Sequence, residues 1–183
     1  MRYKILFAGP VGAGKTTAIG AVSDTPVVRT EAKATDAVRQ RKARTTVAMD
    51  YGSLTVDEQV TIQLIGTPGQ ERFDFMWEIL SVGALGVMIM IDNAREDPLS
   101  DLDLYLKAFH RILDRRGAKG VICVTRRDLA DTPDLGAYRA HMDKLDLHWP
   151  IFEVDARSRS DVKTALLALT AELNPTPIRK QTA

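Results

Sequence analysis

The chain has 183 residues, with 25 basic and 24 acidic side chains, so its formal net charge is +1. The length suits one domain, and 45% hydrophobic with 27% charged residues excludes wholesale disorder. The single cysteine, Cys123, excludes a disulfide scaffold and fits a reducing cytoplasm, while the near-zero charge argues against a nucleic-acid binder. No apolar run reaches the length of a membrane span, so we expect no direct membrane insertion.

Short apolar segments alternate with segments of helical periodicity, which is typical of βαβ units and a mostly parallel sheet. Predicted strands cover residues 3–8, 46–54, 59–65, 85–92, 121–125 and 151–154. Predicted helices cover residues 15–23, 71–81, 100–116, 134–144 and 162–173. The polar, basic residues 26–44 show little periodicity and are predicted as a loop. The pattern predicts one α/β domain over residues 1–173, with a six-stranded sheet covered by helices on both faces, and a polar tail over residues 174–183.

Residues 9–16 read G-P-V-G-A-G-K-T and match the phosphate-loop pattern G-x-x-x-x-G-K-[ST] between a predicted strand and a predicted helix. Glycines let backbone N–H groups converge on phosphate oxygens, and the helix adds its positive N-terminal end. Lys15 is expected to reach the outer phosphates, and the Thr16 hydroxyl is expected to ligate Mg²⁺. The predicted phosphate-binding residues are Gly9, Pro10, Val11, Gly12, Ala13, Gly14, Lys15, Thr16 and Thr17. This pattern indicates a P-loop NTPase without distinguishing kinases, ATPases and GTPases.

Thr46 stands at the start of the second predicted strand, directly after the basic segment. A threonine at such a place can put its hydroxyl on Mg²⁺ and its N–H on a γ-phosphate, a contact that only a triphosphate offers. Threonines also begin strands because of their β-propensity alone. The position therefore predicts either a nucleotide-sensing loop or an ordinary strand start.

Residues 66–73 read G-T-P-G-Q-E-R-F and follow the third predicted strand. With the phosphate loop, they make the chain resemble the Ras-superfamily small GTPases, whose third motif usually reads D-T-A-G-Q-E. The resemblance covers residues 1–173 and implies that the N–H of Gly69 contacts the γ-phosphate and that Gln70 orients the attacking water. The P-G-Q core and the stretch T-T-V-A-M-D-Y-G at residues 45–52 are similar to the prokaryotic, MglA-like branch of that family.

Gly66 departs from the family pattern, because it stands where the usual aspartate supports Mg²⁺. Either Mg²⁺ binds more weakly or another acid substitutes. Asp50 on the neighbouring predicted strand is the nearest candidate in the sequence; the alternative is that Asp50 is a plain exposed strand residue.

Two later motifs are candidates for base recognition, since each follows a buried predicted strand. The resemblance implies that T-R-R-D at residues 125–128 takes the place of N/T-K-x-D, and D-A-R at residues 155–157 that of S-A-K. A carboxylate at Asp128 can accept hydrogen bonds from the guanine N1–H and amino group, which adenine does not offer. The Arg126 stem can cover the base and its guanidinium can stack on it. The predicted base-binding residues are Thr125, Arg126, Asp128, Asp155, Ala156 and Arg157.

Two segments are candidate partner surfaces. Between residues 29 and 44 the local charge is +4, which fits a solvated loop, a docking surface for an acidic regulator, or a cis-acting arginine such as Arg44. One short predicted helix carries more large apolar side chains than one helical face buries, so part of them is expected to meet a partner, with Trp77 as the test position. These side chains are Phe73, Phe75, Met76, Trp77 and Leu80. The resemblance implies Roadblock/LC7-domain proteins as a partner class.

The sequence thus predicts a cytoplasmic, bacterial GTP-binding switch that hydrolyses GTP slowly to GDP, with Mg²⁺ as its cofactor and a regulator or effector protein as its partner. Gln70 and Lys15 are the predicted catalytic residues, and Thr16 and Thr46 the predicted metal ligands. Two alternatives stay open. One is a P-loop kinase acting on a nucleotide or small molecule. The other is a GTP-binding module with little or no hydrolysis, which Val11 and Gly66 favour.

Overall fold

The computed structural model describes residues 1–33, 46–56, 58–114 and 119–173. Within these residues the chain forms seven strands and five α-helices. The strands are β1 (Arg2–Ala8), β2 (Val28–Lys33), β3 (Thr46–Thr55), β4 (Thr61–Gly66), β5 (Gly86–Asp92), β6 (Lys119–Thr125) and β7 (Ile151–Glu153). The helices are α1 (Lys15–Val22), α2 (Asp74–Ser81), α3 (Pro98–Asp114), α4 (Leu135–Asp143) and α5 (Arg159–Leu173), and a 3₁₀ turn over Glu71–Phe73 leads into α2.

The strands form a single sheet in the order β2-β3-β4-β1-β5-β6-β7. Among the described strands, β3 pairs antiparallel with β2 and with β4, whereas the pairs from β4 across to β7 are parallel. This confirms the predicted α/β fold with a mostly parallel sheet. Because parallel strands end at one edge, the loops that follow β1, β4, β5, β6 and β7 meet at the carboxyl edge of the sheet, where such folds bind ligands.

Both faces of the sheet are covered by helices. One apolar cluster joins the sheet to α1 and α5, and the other joins it to α2, α3 and α4. Strand β5 is buried along its whole length, as its run of apolar residues requires. None of the described helices combines the length and the apolarity that crossing a membrane requires.

The predicted count of six strands is wrong, because β2 was assigned to a loop. Its sequence, V-R-T-E-A-K, alternates apolar or small with charged or polar residues and lies at the edge of the sheet. An edge strand pairs on one side only and commonly carries charged side chains, so it lacks the apolar signal of the central strands. The rest of the predicted basic loop, residues 34–45, lies outside the described residues, as do Arg44 and the tail over residues 174–183.

Candidate functional site

The phosphate loop joins β1 to α1 at the carboxyl edge of the sheet. Gly9 has φ +139°, and a Cβ there would lie 2.0 Å from the Met90 carbonyl oxygen, so only glycine lets the loop pass over β5. Gly14, with φ +93°, is the residue before α1 and turns the chain into the helix. The predicted strand, loop and helix are therefore all present, and the loop has the curled backbone that phosphate binding needs.

Lys15 places its ammonium group inside this loop. Its Nζ donates hydrogen bonds to the carbonyl oxygens of Gly9 at 2.7 Å and Pro10 at 2.8 Å. Burial lowers the pKa of Lys15 from 10.5 to about 8, and the opposing effect is the negative charge of Asp50, which raises it. The ammonium is thus partly desolvated and aimed at the loop backbone, where an anion gains most from it.

Thr16, one residue into α1, donates its hydroxyl proton to the Asp50 carboxylate on β3. The described residues contain no group of three or more His, Cys, Asp and Glu side chains that could hold a metal ion. A cation at this loop would therefore be held mainly by phosphate oxygens, water and the Thr16 hydroxyl, which is how Mg²⁺ usually binds beside a nucleotide.

Thr46 is the first residue of β3 and pairs with Lys33 of β2. Asp50, four residues further along β3, is the position that pairs with Gly66 at the end of β4. At about 3.4 Å per residue, Thr46 lies roughly 14 Å along the strand from Asp50. The structure therefore does not bring Thr46 together with Thr16, and its assignment as a metal ligand stays a prediction.

A cavity of about 470 Å³ lies between the phosphate loop and the two predicted base-recognition loops. Ala13, Gly14 and Thr17 of the loop and helix α1 line one side of it. Thr125, Arg126, Asp128, Asp155, Ala156 and Arg157 line the other side. All six predicted base-binding residues thus meet the phosphate loop at one cavity, although they come from two loops distant in the sequence.

Two polar contacts hold the loop after β6 in place. The Thr125 hydroxyl lies 3.2 Å from the carbonyl oxygens of both Ala13 and Ile91, so it ties this loop to the phosphate loop. The Arg126 guanidinium lies 2.5 Å from the buried carboxylate of Asp92, in an ion pair. The ion pair holds the guanidinium at Asp92, and the expected stacking of Arg126 on a base stays a prediction.

The loop after β7 is held by its own side chains. Arg157 donates to both carboxylate oxygens of Asp155, with distances between 2.9 and 3.2 Å. These hydrogen bonds lower the pKa of the Asp155 carboxyl below its usual value. The Asp155 backbone N–H in turn donates to Asp161 at 3.1 Å, which joins the loop to α5. The backbone of Ala156 is therefore presented at the cavity by a loop with a fixed shape.

The segment after β4 packs directly against the phosphate loop. A Cβ built on Gly69 would lie 2.7 Å from the Val11 nitrogen and 2.8 Å from both the Lys15 Nζ and the Pro10 carbonyl carbon. Gly69 therefore approaches the loop so closely that no side chain fits. Gln70 is exposed and lines a cavity of about 360 Å³ beside Pro10 and Val11, so its amide lies near the mouth of the loop.

Two aromatic donors, which the sequence did not reveal as site residues, hold this segment. The Trp77 indole N–H donates to the Pro68 carbonyl oxygen, and the Tyr105 hydroxyl donates to the Gly69 carbonyl oxygen, each at 3.0 Å. The Trp77 ring lies 5.0 Å from the Tyr105 ring and 5.6 Å from the Phe109 ring. A tyrosine on the apolar face of α3 was the available signal, because a buried tyrosine hydroxyl usually has a partner.

The choice of Trp77 as a partner-surface residue is wrong, because only 1% of it is exposed. The expectation that part of the same stripe reaches solvent is confirmed by Phe75, which is 42% exposed. Ile79 of the same helix, which the prediction did not include, is 60% exposed. The substitutions Trp77→Asp and Ile79→Asp should differ strongly in their effect on stability. Trp77→Asp should lower the free energy of unfolding by at least about 3–5 kcal/mol, because it places a carboxylate in the core, whereas Ile79→Asp should lower it by less than about 1 kcal/mol. Urea denaturation measures both, and a Trp77→Asp protein of native stability would contradict the burial.

A phosphate loop between β1 and α1, at the carboxyl edge of a mostly parallel sheet and beside a cavity of about 470 Å³, defines a P-loop nucleotide-binding protein. Residues 7–177 match the family described as conserved hypothetical ATP binding protein, and the chain belongs to that family.

Individual relatives show a second likeness, at low identity. The chain is 22% identical to the Ras-related protein RABD2a of Arabidopsis thaliana over 93% of its own length and 79% of that protein. It is also 22% identical to the Ras-related protein Rab-8A of Pongo abelii, over 93% of its own length and 78% of that protein. A shorter match, 30% identical over 47% of the chain, is to a protein of Methanocaldococcus jannaschii named only as uncharacterized, and the match spans about half, 52%, of that protein.

Proposed function

We propose that this protein is a GTP-binding molecular switch that hydrolyses GTP to GDP. The observation that carries the proposal is the cavity that Asp128 and Ala156 share with the phosphate-loop residues Ala13 and Gly14. Its lining offers a carboxylate and a backbone N–H on the base side, next to backbone N–H groups on the phosphate side. Similarity to Ras-related proteins along 93% of the chain supports the same function.

Asp128 favours guanine over adenine. A carboxylate accepts hydrogen bonds and donates none, and guanine offers it two donors, N1–H and the 2-amino group. Adenine presents a lone pair at N1 and has no 2-amino group, so Asp128 would face an acceptor. Each hydrogen bond to a charged group contributes about 1.5–3 kcal/mol, so the pair should favour GTP over ATP by at least about a hundredfold. The family description names ATP, which makes the base preference the decisive measurement.

For hydrolysis, the proposed roles follow from the positions around the loop. Lys15 and the loop N–H groups stabilise charge that develops on the γ-phosphate, and Gly69 brings its N–H to the same oxygens. Gln70, at the mouth of the loop, orients the attacking water. Mg²⁺, when bound at the Thr16 hydroxyl, would neutralise phosphate charge. Hydrolysis by this set alone is expected to be slow, because none of these groups is an arginine finger.

The switch is proposed to lie in the segment after β4, because Gly69 touches the phosphate loop while Phe75 and Ile79 expose apolar surface a few residues on. A change of nucleotide at the loop would move Gly69 and, through α2, the exposed pair. A regulator or effector protein would bind there, with Roadblock/LC7-domain proteins as a candidate class. The assignment to the prokaryotic, MglA-like branch, the cytoplasmic location and the domain limits at residues 1–173 belong to the same proposal.

The test is nucleotide binding to the purified protein, followed by phosphate release with GTP and Mg²⁺. We expect GTP and GDP to bind and ATP to bind at least about a hundredfold more weakly. Asp128→Asn should weaken GTP binding by about tenfold to a hundredfold and improve binding of xanthosine triphosphate, whose 2-carbonyl can accept from the new amide. Asp131→Asn, an exposed carboxylate outside the cavity, is the matched control. Tighter binding of ATP, with transfer of its phosphate to a small molecule, would instead support a P-loop kinase.

A further inference from the structure

We infer that Asp50 of β3 takes over the position of the acidic side chain that Gly66 lacks, and acts as the positioning residue for Mg²⁺ at the Thr16 hydroxyl. The inference rests on the proposed function, since the cation would bind together with a nucleotide. In this chain the carboxylate that supports Mg²⁺ would therefore come from β3, and not from the end of β4.

The strand register places the two positions side by side. Asp50 and Gly66 are directly opposite each other in the antiparallel pair of β3 and β4. A Cβ built on Gly66 would lie 3.1 Å from the Asp50 Cβ and 3.2 Å from its Oδ2. The Asp50 side chain therefore fills the space that a side chain at residue 66 would enter, and it brings its carboxylate to the same end of the sheet.

The contact with Thr16 gives Asp50 its role. The Thr16 hydroxyl donates its proton to Asp50 Oδ2. A hydroxyl that ligates a cation uses an oxygen lone pair for the cation and needs an acceptor for its proton. Asp50 is that acceptor, so the hydrogen bond turns the lone pairs of the Thr16 hydroxyl away from β3. The Asp50 side chain is also largely buried, with 15% of it exposed. Its negative charge also lies close enough to favour a cation at Thr16.

A purely structural role for Asp50 rests on its second partner. The Arg29 Nε lies 3.6 Å from Asp50 Oδ1, the oxygen that does not accept from Thr16, and 72% of the Arg29 side chain is exposed. Because the Arg29 side chain is largely solvated, the ion pair should contribute at most about 1 kcal/mol. If Asp50 served only to join β2 to β3, then removing Arg29 would reproduce the effect of removing the Asp50 charge.

Release of a fluorescent GDP analogue, measured once in Mg²⁺ and once in EDTA, separates the metal from the rest of the site. In the wild type we expect Mg²⁺ to slow release strongly. Asp50→Asn keeps an acceptor for the Thr16 proton but loses the charge, so the slowing by Mg²⁺ should fall about 10- to 100-fold, as for other residues that support a metal ligand. Release in EDTA measures what the lost charge does to Lys15 and the phosphates without the metal, so the ratio of the two release rates isolates the Mg²⁺ effect. Arg29→Gln is the matched control and should keep the full Mg²⁺ effect.

A carboxylate exchange keeps the test decisive even if Asp50→Asn folds poorly. The double variant Asp50→Gly/Gly66→Asp removes the crowding at β3 and returns the acid to β4, so it should recover most of the Mg²⁺ effect. An Asp50→Asn protein with the wild-type Mg²⁺ effect, or wild-type release that ignores Mg²⁺, would overturn the inference and leave the proposed function standing. Failure of the wild type to bind the GDP analogue in either buffer would overturn the proposed function itself.

Discussion

Lys15→Met should reduce the affinity for GTP by about 10²–10⁴-fold. The ammonium group lies inside the phosphate loop, bonded to the carbonyl oxygens of Gly9 and Pro10, so a phosphate that enters the loop meets a desolvated cation already in place. Two charge-assisted hydrogen bonds from Lys15 to phosphate oxygens would contribute about 3–6 kcal/mol to GTP binding, which corresponds to the expected loss of affinity. Methionine keeps a similar length and removes the charge and all three donors.

Calorimetric titration with GTP measures the effect, and Lys107→Met is the matched control. Lys107 is an exposed lysine of α3 whose partner is Asp103, so its loss should leave GTP affinity unchanged. Burial of the charge, which lowers the pKa of Lys15 to about 8, opposes folding at neutral pH, so Lys15→Met should not lower the thermal unfolding temperature. GTP affinity equal to that of the wild type in a folded Lys15→Met protein would refute the assignment of this loop as a phosphate site.

The local features of this site could be predicted from the sequence. The phosphate loop is eight consecutive residues with a strand before it and a helix after it, so its glycines, lysine and threonine have roles that do not depend on distant contacts. The strands from β4 to β7 could be predicted for a similar reason, since buried parallel strands read as short apolar runs. Edge strand β2 pairs with β3 along one side, and its charged residues give it no such apolar run.

The contact between Asp50 and Thr16 depends on a strand register that the sequence does not determine. Strand ends predicted at residues 54 and 59 would place Asp50 opposite residue 63, whereas the observed register places it opposite Gly66. A slip of three residues is odd, so it also exchanges the two faces of a strand. The sequence could therefore name Asp50 as a candidate for the missing acidic residue. The observed strand register is what places its carboxylate beside Thr16 of the phosphate loop.

The burial of Trp77 is a second property that pattern alone could not supply. Six large apolar side chains over residues 73–80 exceed one helical face, so periodicity does not say which of them turn inward. The structure turns Trp77 inward because α3 offers it Tyr105 and Phe109 as ring partners and Pro68 as a hydrogen-bond acceptor. The same choice fixes the backbone just before Gln70, which links the packing of α2 and α3 to the proposed switch.

Gly69→Ala should lower the rate of GTP hydrolysis by about 10²–10³-fold and leave GDP affinity nearly unchanged. A methyl group on Gly69 would lie 2.7 Å from the Val11 nitrogen and 2.8 Å from Lys15 Nζ, so the segment must move away from the loop. The Gly69 N–H then no longer reaches the γ-phosphate, and one lost backbone donor of this kind costs about 10²–10³ in rate. GDP has no γ-phosphate and should not sense the shift.

The matched control for this substitution is Gly20→Ala. A Cβ at Gly20 in α1 meets only the Val27 side chain, at 3.6 Å, which is an ordinary contact, so this variant should keep its hydrolysis rate and gain up to about 1 kcal/mol of stability. Single-turnover phosphate release and GDP binding, measured on both variants, give the comparison. Hydrolysis by Gly69→Ala at the wild-type rate would mean that the contact of Gly69 with the phosphate loop serves packing alone. If Gly69→Ala lost GDP affinity together with its hydrolysis rate, the phosphate loop itself would have been distorted. GDP lacks the γ-phosphate, so loss of the Gly69 contact alone should not weaken GDP binding.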